Sequence, residues 1–220
     1  MSDDYTQYLG PQPGVLMRQQ MRVKDFIPCM IKTKFNVGTF PQGLDPNTPW
    51  EDGVFAAMQG HMFIEEESDC KHKACCGPYR ALKYHVYAGN NNQNPEMLTA
   101  DRPFKCTLIC GPVMINPQEM TLFDTKTNQP IGRTVRDFRC LEAMCNKKRW
   151  KVENGQGQTE FYLYSDECCT VNMCAPSLCC PKYEMSIRNQ NDEVVGKFEN
   201  LFPGCNMKAC LGGFDNYRVV

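Results

Sequence analysis

Cysteine is the residue type with the widest chemical reach in this sequence, and fifteen of the 220 residues are cysteines. A cysteine can bind a metal, act as a nucleophile, carry an acyl chain or lie buried as a small apolar residue. The densest cluster is Cys168-Cys169, Cys174 and Cys179-Cys180. Its spacing lacks the two-residue knuckle that is typical of zinc ribbons, and adjacent cysteines on a strand point to opposite faces. The pattern therefore disfavours zinc and leaves acylation and plain burial open.

Nucleophilic catalysis by cysteine needs a neighbouring base, and the sequence holds three histidines, His61, His72 and His85. His72 lies between Cys70 and Cys75, which suggests a pair. A reactive thiolate also needs a cleft and a third group that orients the base. No G-x-S-x-G, H-E-x-x-H or phosphate-binding glycine loop occurs. We therefore expect no catalytic residues and predict that the protein is not an enzyme.

Local groups of basic residues are candidates for contacts with anionic phospholipid headgroups. The formal net charge is only −1 at pH 7, so no global basic field indicates a nucleic-acid partner. The candidates are Arg80, Lys105 and the run Lys147-Lys148-Arg149, and each one near a membrane contributes about 1 kcal/mol. The alternative is a set of scattered, solvated side chains. The acidic run Glu65-Glu66-Glu67 is predicted to be a solvated strand end rather than a cation site.

The N-terminal sequence and the cysteines indicate a cellular compartment. The first residues, MSDDYTQYLG, are acidic and polar, unlike a secretory signal or a basic transit peptide. No Asn-X-Ser/Thr acceptor occurs, and no apolar run reaches the about 18 residues that a membrane-spanning helix needs. We therefore expect a reducing, intracellular setting.

From Leu82 onwards apolar and polar residues alternate with a period of two, which is typical of strands with one buried and one solvated face. Polar turns rich in Asn, Asp and Gly separate these segments. We predict an all-β protein that forms a single closed antiparallel barrel, because closure removes sheet edges. The predicted strands include Leu82–Tyr87, Met120–Phe123, Trp150–Glu153, Phe161–Tyr164 and Tyr183–Arg188, and the turns include Asn90–Asn92, Thr127–Pro130, Asn154–Gly157 and Asn189–Asp192.

Residues 1–52 differ from the rest because they contain many prolines, which disfavour long helices or central strands. We predict an irregular N-terminal arm over residues 1–52, with a short amphipathic helix at Val15–Phe26, and a barrel domain over residues 53–220. Within the barrel domain, Met120–Phe123 and the following polar turn recur as Tyr183–Ile187 and its turn. This repeat indicates a duplication inside one barrel.

Several motifs, in this order and spacing, resemble the phospholipid scramblase family from about Phe55 to Val220. They are Phe63–Cys70 followed by Cys75–Arg80, then Asp101–Cys106, Pro130–Gly132, Val194–Lys197 and Asp215–Tyr217. The resemblance implies a Tubby-like β-barrel of about twelve strands around an apolar C-terminal helix. It also implies movement of phospholipids between leaflets when calcium rises, although many family members act as adaptors.

The sequence departs from the family where the apolar helix should follow, since it stops at Val220. An empty lumen would cost about 24 cal/mol per Å³ of cavity. We therefore expect the lumen to be filled by further C-terminal residues, by the Val15–Phe26 segment or by a helix from a protein partner.

The resemblance also implies a calcium site. Asp215 and Asn216 match the family's calcium-binding segment, but Gly213 stands where an acidic ligand is usual. Because calcium takes about six to eight oxygen ligands, we expect weak binding.

Acylation is the second feature that the resemblance implies. Cys106 and Cys110 match the family's acylated cysteine run, and Cys75 and Cys76 are further candidates for palmitoyl groups. Two acyl chains are enough for stable anchoring, so we expect association with a membrane.

Two function hypotheses follow. The first is a phospholipid scramblase-like protein that moves phospholipids across a membrane in response to calcium, by transport and not by covalent chemistry. The second is a non-catalytic structural or adaptor barrel that is a subunit of a larger membrane-associated assembly.

Overall fold

A computed structural model provides the structure of this chain and describes residues 14–20, 33–41, 43–45, 54, 57–67, 80–105, 108–110, 113–139, 148–165, 182–201 and 216–220. The described residues form fourteen strands. These are β1 Val15–Gln20, β2 Lys34–Thr39, β3 Gln59–Glu67, β4 Leu82–Ala88, β5 Glu96–Arg102, β6 Leu108–Cys110, β7 Val113–Ile115, β8 Glu119–Asp124, β9 Pro130–Asp137, β10 Arg149–Asn154, β11 Thr159–Tyr164, β12 Lys182–Arg188, β13 Val194–Leu201 and β14 Asn216–Val219.

Twelve of these strands close into one antiparallel barrel, as the alternating sequence pattern predicts. The order around the barrel is β1-β14-β13-β12-β11-β10-β9-β8-β5-β4-β3-β2, and β2 pairs with β1 to complete the circle. Strands β6 and β7 form a separate two-stranded hairpin between β5 and β8. The prediction of a closed all-β barrel of about twelve strands is confirmed.

The barrel begins earlier in the chain than residue 53, so the predicted domain boundary is wrong. The segment Val15–Gln20 is strand β1 and not the start of a helix, and Lys34–Thr39 is strand β2. Met17 lies opposite both Val37 of β2 and Tyr217 of β14. This pairing has a physical reason, because without β1 and β2 the strands β3 and β14 would be open sheet edges. Residues 21–26 lie outside the described part of the chain.

Contacts between strands that are not neighbours identify the lumen side of the sheet. The ring of Phe35 on β2 lies 6.4 Å from that of Tyr84 on β4 and 6.2 Å from that of Tyr217 on β14. Each contact skips one strand, which is possible only on the concave face. On that same face, Val37, Met62, Val86, Met97 and Leu98 form the main buried cluster.

A second apolar cluster lies on the outer side of the barrel. Leu16 and Leu201 are buried there together with Phe40, and Val54 and Met58 pack against them. The partners come from the connection between β2 and β3, which therefore covers part of the outer wall. This cover explains why Leu16 is completely buried although it alternates with inward-facing residues.

Each of five antiparallel hairpins contains a register shift close to its turn. Two of the shifts occur at equivalent points of the repeat, between Leu122 and Phe123 and between Ile187 and Arg188. Opposite these points lie Gly132 and Gly196, which again correspond. Bulges bend a strand and increase its twist, as barrel closure requires. The sequence repeat therefore corresponds to a repeated hairpin geometry.

The backbone of another residue lies close to each of the two equivalent glycines, and substitutions test this close approach. A Cβ at Gly196 would lie 2.6 Å from the carbonyl oxygen of Val220. This oxygen accepts a hydrogen bond from the N–H of Lys197 at 2.7 Å, and the N–H of Val220 donates to the carbonyl oxygen of Lys197 at 3.0 Å. A Cβ at Gly132 would lie 3.2 Å from the carbonyl oxygen of Glu153. We expect Gly196→Ala to lower the free energy of unfolding by about 1–3 kcal/mol and Gly132→Ala to have a smaller effect. Urea unfolding of both variants measures the difference, and equal losses would contradict this account.

Candidate functional site

The two ends of the barrel differ in the length and composition of their connections. One end has short polar turns at residues 89–95, 125–129, 155–158 and 189–193, together with the longer connection 40–58. The remaining connections between strands lie at the other end. All fifteen cysteines of the sequence belong to these connections. We call this end the cysteine end. Its connections are residues 21–33, 68–81, 103–118, 138–148, 165–181 and 202–215.

The site residues predicted from the sequence all belong to the cysteine end or to its connections. Arg80 precedes β4, Lys105 follows β5, Lys148 directly precedes β10, Arg149 begins β10, Cys110 ends β6 and Asn216 begins β14. Their predicted roles stay predictions. Five other candidates lie outside the described residues, namely Cys75, Cys76, Cys106, Lys147 and Asp215.

Three of the predicted headgroup contacts already bind carboxylates of the barrel. Nη2 of Arg80 lies 2.9 Å from Oε1 of Glu66, and Nζ of Lys105 lies 2.8 Å from Oε1 of Glu119. Arg149 pairs with Asp137 through Nε at 3.0 Å. An anion at these positions would compete with an existing ion pair, which weakens the case for a direct headgroup contact.

Glu66 is a buried carboxylate, although the acidic run that contains it reads as a solvated strand end. Its relative exposure is 1%, because it alternates with Glu65 and points into the lumen. Arg80 pairs with it, and Nε and Nη2 of Arg102 donate to the carbonyl oxygen of Arg80 at 3.3 and 3.2 Å. Burial lowers the pKa of Arg102, while the charge of Glu66 raises it in part. The period-two alternation of β3 is the feature of the sequence that could have predicted the inward position of Glu66.

A buried ion pair is costly to break on one side only. We expect Arg80→Met to lower the free energy of unfolding by about 3 kcal/mol, because Glu66 then keeps a poorly compensated charge in the lumen. The double variant Arg80→Met with Glu66→Gln should recover part of this loss. Thermal or urea unfolding of the single and double variants measures the coupling, and additive losses would contradict it.

The outer face carries a second charged cluster across β3, β4 and β5. Nε2 of His85 lies 2.9 Å from Glu67 and its Nδ1 lies 2.8 Å from Glu96, which also accepts a hydrogen bond from Thr99 at 2.7 Å. Carboxylates only accept, so the protonated imidazolium is the form that donates to both. Burial lowers the pKa of His85, but the hydrogen bonds and charges of Glu96 and Glu67 outweigh it and raise the pKa.

This cluster makes a sign-specific prediction for pH. A raised folded-state pKa gives stabilisation that is fully present below the unfolded value of about 6.5 and is lost as pH rises through the folded-state pKa. Unfolding of the wild type and of His85→Gln should therefore differ most below that value, and the difference should shrink at higher pH. A difference that is independent of pH would refute the assignment.

Ion pairs within and between strands lie along the remaining outer wall. Arg133 lies 2.6 Å from Glu153, and Glu184 pairs with Lys182 of its own strand at 2.7 Å and with Lys197 of β13 at 2.9 Å. A further pair joins Lys151 to Asp137 at 3.6 Å. These charges favour water as the surroundings of the wall.

The hairpin β6–β7 is an apolar feature of the cysteine end. Residues 106–115 read CTLICGPVMI and contain no charged residue. Beside the hairpin, Phe104 is 53% exposed, and Ile115 at its end is 47% exposed. Phe104 and Ile115 are thus two large apolar side chains that are exposed at this end of the barrel.

No described helix is long and apolar enough to cross a membrane. Nor does the described part contain a cluster of three or more His, Cys, Asp and Glu side chains arranged to hold a metal ion. Asn216 is buried at the start of β14, opposite Arg18 and Leu201.

Comparison with known proteins places this barrel in a family. The family model described as Scramblase matches residues 55–220. The chain belongs to the scramblase family. The match leaves out β1 and β2, which complete the barrel of this scramblase-family member in the structure.

Curated relatives of this scramblase-family chain are distant in sequence. Phospholipid scramblase 2 of Bos taurus is 23% identical over 159 residues, which cover 71% of this chain and 47% of that protein. Phospholipid scramblase 1 of Homo sapiens is 24% identical over 161 residues, which cover 71% of this chain and 44% of that protein. The matched part therefore spans less than half the length of each relative. No solved structure matches the chain.

Proposed function

We propose that this chain is a phospholipid scramblase-like protein that docks on a membrane through its cysteine end and promotes calcium-responsive movement of phospholipids between leaflets. The observation that carries the proposal is the difference between the two ends of the barrel: every cysteine of the sequence belongs to one end, and so do the exposed side chains of Phe104 and Ile115. Membership of the scramblase family supports the phospholipid substrate. The activity is transport, so no catalytic residue is assigned.

The outer wall supports an end-on approach to the bilayer. A lysine or arginine that faces the hydrocarbon midplane costs about 2–4 kcal/mol. The wall carries Arg133, Lys151, Lys182 and Lys197, each with a carboxylate partner. Such a wall is best kept in water, and the end of the barrel then faces the lipid.

The hairpin and its neighbours supply the apolar contact. Phe104 and Ile115 are exposed, and the sequence between them includes Cys106 and Cys110. Palmitoyl chains on these cysteines, or on Cys75 and Cys76, would add about 0.8 kcal/mol for each buried methylene. One acyl chain gives only reversible binding, so a second chain or an apolar hairpin beside it makes the anchor firm.

Calcium enters the proposal through Asp215 and Asn216. Asn216 begins β14 at the cysteine end, so a cation held by this pair would act close to the docking surface. Its positive charge would strengthen attraction to anionic lipids. The pair supplies only two side-chain ligands of the about six to eight that calcium takes, so further oxygens must complete the site.

Docking can be tested by removing the exposed apolar side chains. We expect Phe104→Ser with Ile115→Ser to weaken sedimentation with vesicles about tenfold or more, because each large apolar side chain contributes about 1.5–3 kcal/mol when buried. The matched control is Val194→Ser with Val195→Ser, since these valines are 55% and 54% exposed at the opposite end. Equal losses in both variants would contradict end-on docking.

Lipid movement is tested separately with the full chain in vesicles that contain fluorescent phospholipids. We expect exchange between leaflets to increase with calcium, and Asp215→Ala with Asn216→Ala to raise the calcium concentration required. Vesicles that bind the protein but show no calcium-dependent exchange would overturn the transport activity and leave the adaptor role as the account of membrane binding.

A further inference from the structure

Two basic side chains face each other inside the barrel near the cysteine end. Arg136 on β9 lies opposite Trp150 on β10, and Lys148 precedes Trp150 by two residues. Residues two apart on a strand share a face, so Lys148 and Arg136 are diagonal neighbours. Nζ of Lys148 lies 5.5 Å from the ring centroid of Tyr183 on β12. This contact skips β11 and therefore lies on the concave, lumen side.

Each of the two cations lies over an aromatic ring. Cζ of Arg136 lies 5.3 Å from the ring centroid of Trp150. The backbone N–H of the buried Ser165 donates to the carbonyl oxygen of Lys148 at 3.0 Å, which fixes the backbone at this point. Tyr183 is itself buried. Aromatic rings thus line this part of the lumen, and Lys148 and Arg136 are half-buried beside them.

Lys148 differs from the other lysines of its surroundings. Lys151, on the opposite face of the same strand, pairs with Asp137 at 3.6 Å, but no carboxylate lies against Lys148 among the described residues. Burial lowers the pKa of Lys148, and the positive charge of Arg136 lowers it further. A half-buried ammonium beside a second cation is destabilised unless an anion joins them.

We propose that Lys148 and Arg136 form an anion site in the lumen that binds a phosphate group, with Trp150 and Tyr183 as its walls. An ammonium and a guanidinium both donate to phosphate oxygens, and such charge-assisted bonds are stronger in a partly dehydrated site. A free phosphate and the headgroup of a phospholipid carry the same group, so both are chemically suitable. The site rests on these contacts and does not depend on membrane docking.

Trp150 provides a local reporter for the test. The sequence has two tryptophans, so Trp50→Phe leaves Trp150 as the only one. Its fluorescence is followed during titration with inorganic phosphate, with chloride at equal ionic strength as the reference. We expect a saturable change with phosphate or with vesicles of phosphatidylcholine that contain phosphatidic acid. Saturation by phosphate in solution identifies a soluble ligand, and saturation by the vesicles alone identifies a headgroup.

Variants on the two faces of β10 decide whether Lys148 is responsible. We expect Lys148→Met to weaken binding about tenfold or more, and Lys148→Arg to keep it because the charge remains. Lys151→Met is the matched control and should bind as the parent does. Circular dichroism confirms that each variant is folded. The proposal is overturned by unchanged binding in Lys148→Met, by an equal loss in Lys151→Met, by a failure of Lys148→Arg to bind, or by equal responses to phosphate and chloride.

Discussion

The pairing of β1 with β14 is the constraint on which the rest of this structure depends. It joins Val15 to Val219 and Met17 to Tyr217 across almost the whole length of the chain. Without it the sheet would have two open edges, and the distinction between a lumen face and an outer face would be lost. Because the circle is closed, each inward side chain meets partners from strands that are not its neighbours. The contacts of Phe35 with both Tyr84 and Tyr217 depend on this curvature.

Closure also separates the charges of the barrel into two physical settings. On the outer wall, ion pairs such as Lys182–Glu184 are partly exposed to water, and each contributes little to stability. In the lumen, Glu66 needs Arg80 because burial makes an uncompensated charge costly. Lys148 lies in the same setting, where the part of the chain that the structure describes places Arg136 and the ring of Tyr183 beside its ammonium group. The same residue types therefore have different chemistry according to the face on which they lie.

Because the strands are antiparallel, two different kinds of connection lie at opposite ends of the barrel. Short polar turns with register shifts beside them close one end and bend the strands. The connections at the other end contain every cysteine, and the apolar hairpin β6–β7 lies among them. Functional residues are often found on connections that a rigid sheet positions. This arrangement supports the proposed docking on a membrane, because a charged wall and an apolar end favour an end-on orientation of the barrel.

The sequence by itself determined five of the strands from Leu82 onwards, β4, β8, β10, β11 and β12, and the polar turn that follows each of four of them, since period-two alternation and Asn, Asp or Gly turns are local signals. Asn128 and Asp192 have the positive φ angles that such turns use. Only the tertiary structure decided that Val15–Gln20 is a strand, because its partners are β2 and the distant β14. It also decided that Glu66 is buried and that Lys148 faces the lumen while Arg149 faces outwards. Which face of the sheet each charged residue of such a run occupies depends on the register of its strand. That register is set by pairing with other strands, which the local sequence does not reveal.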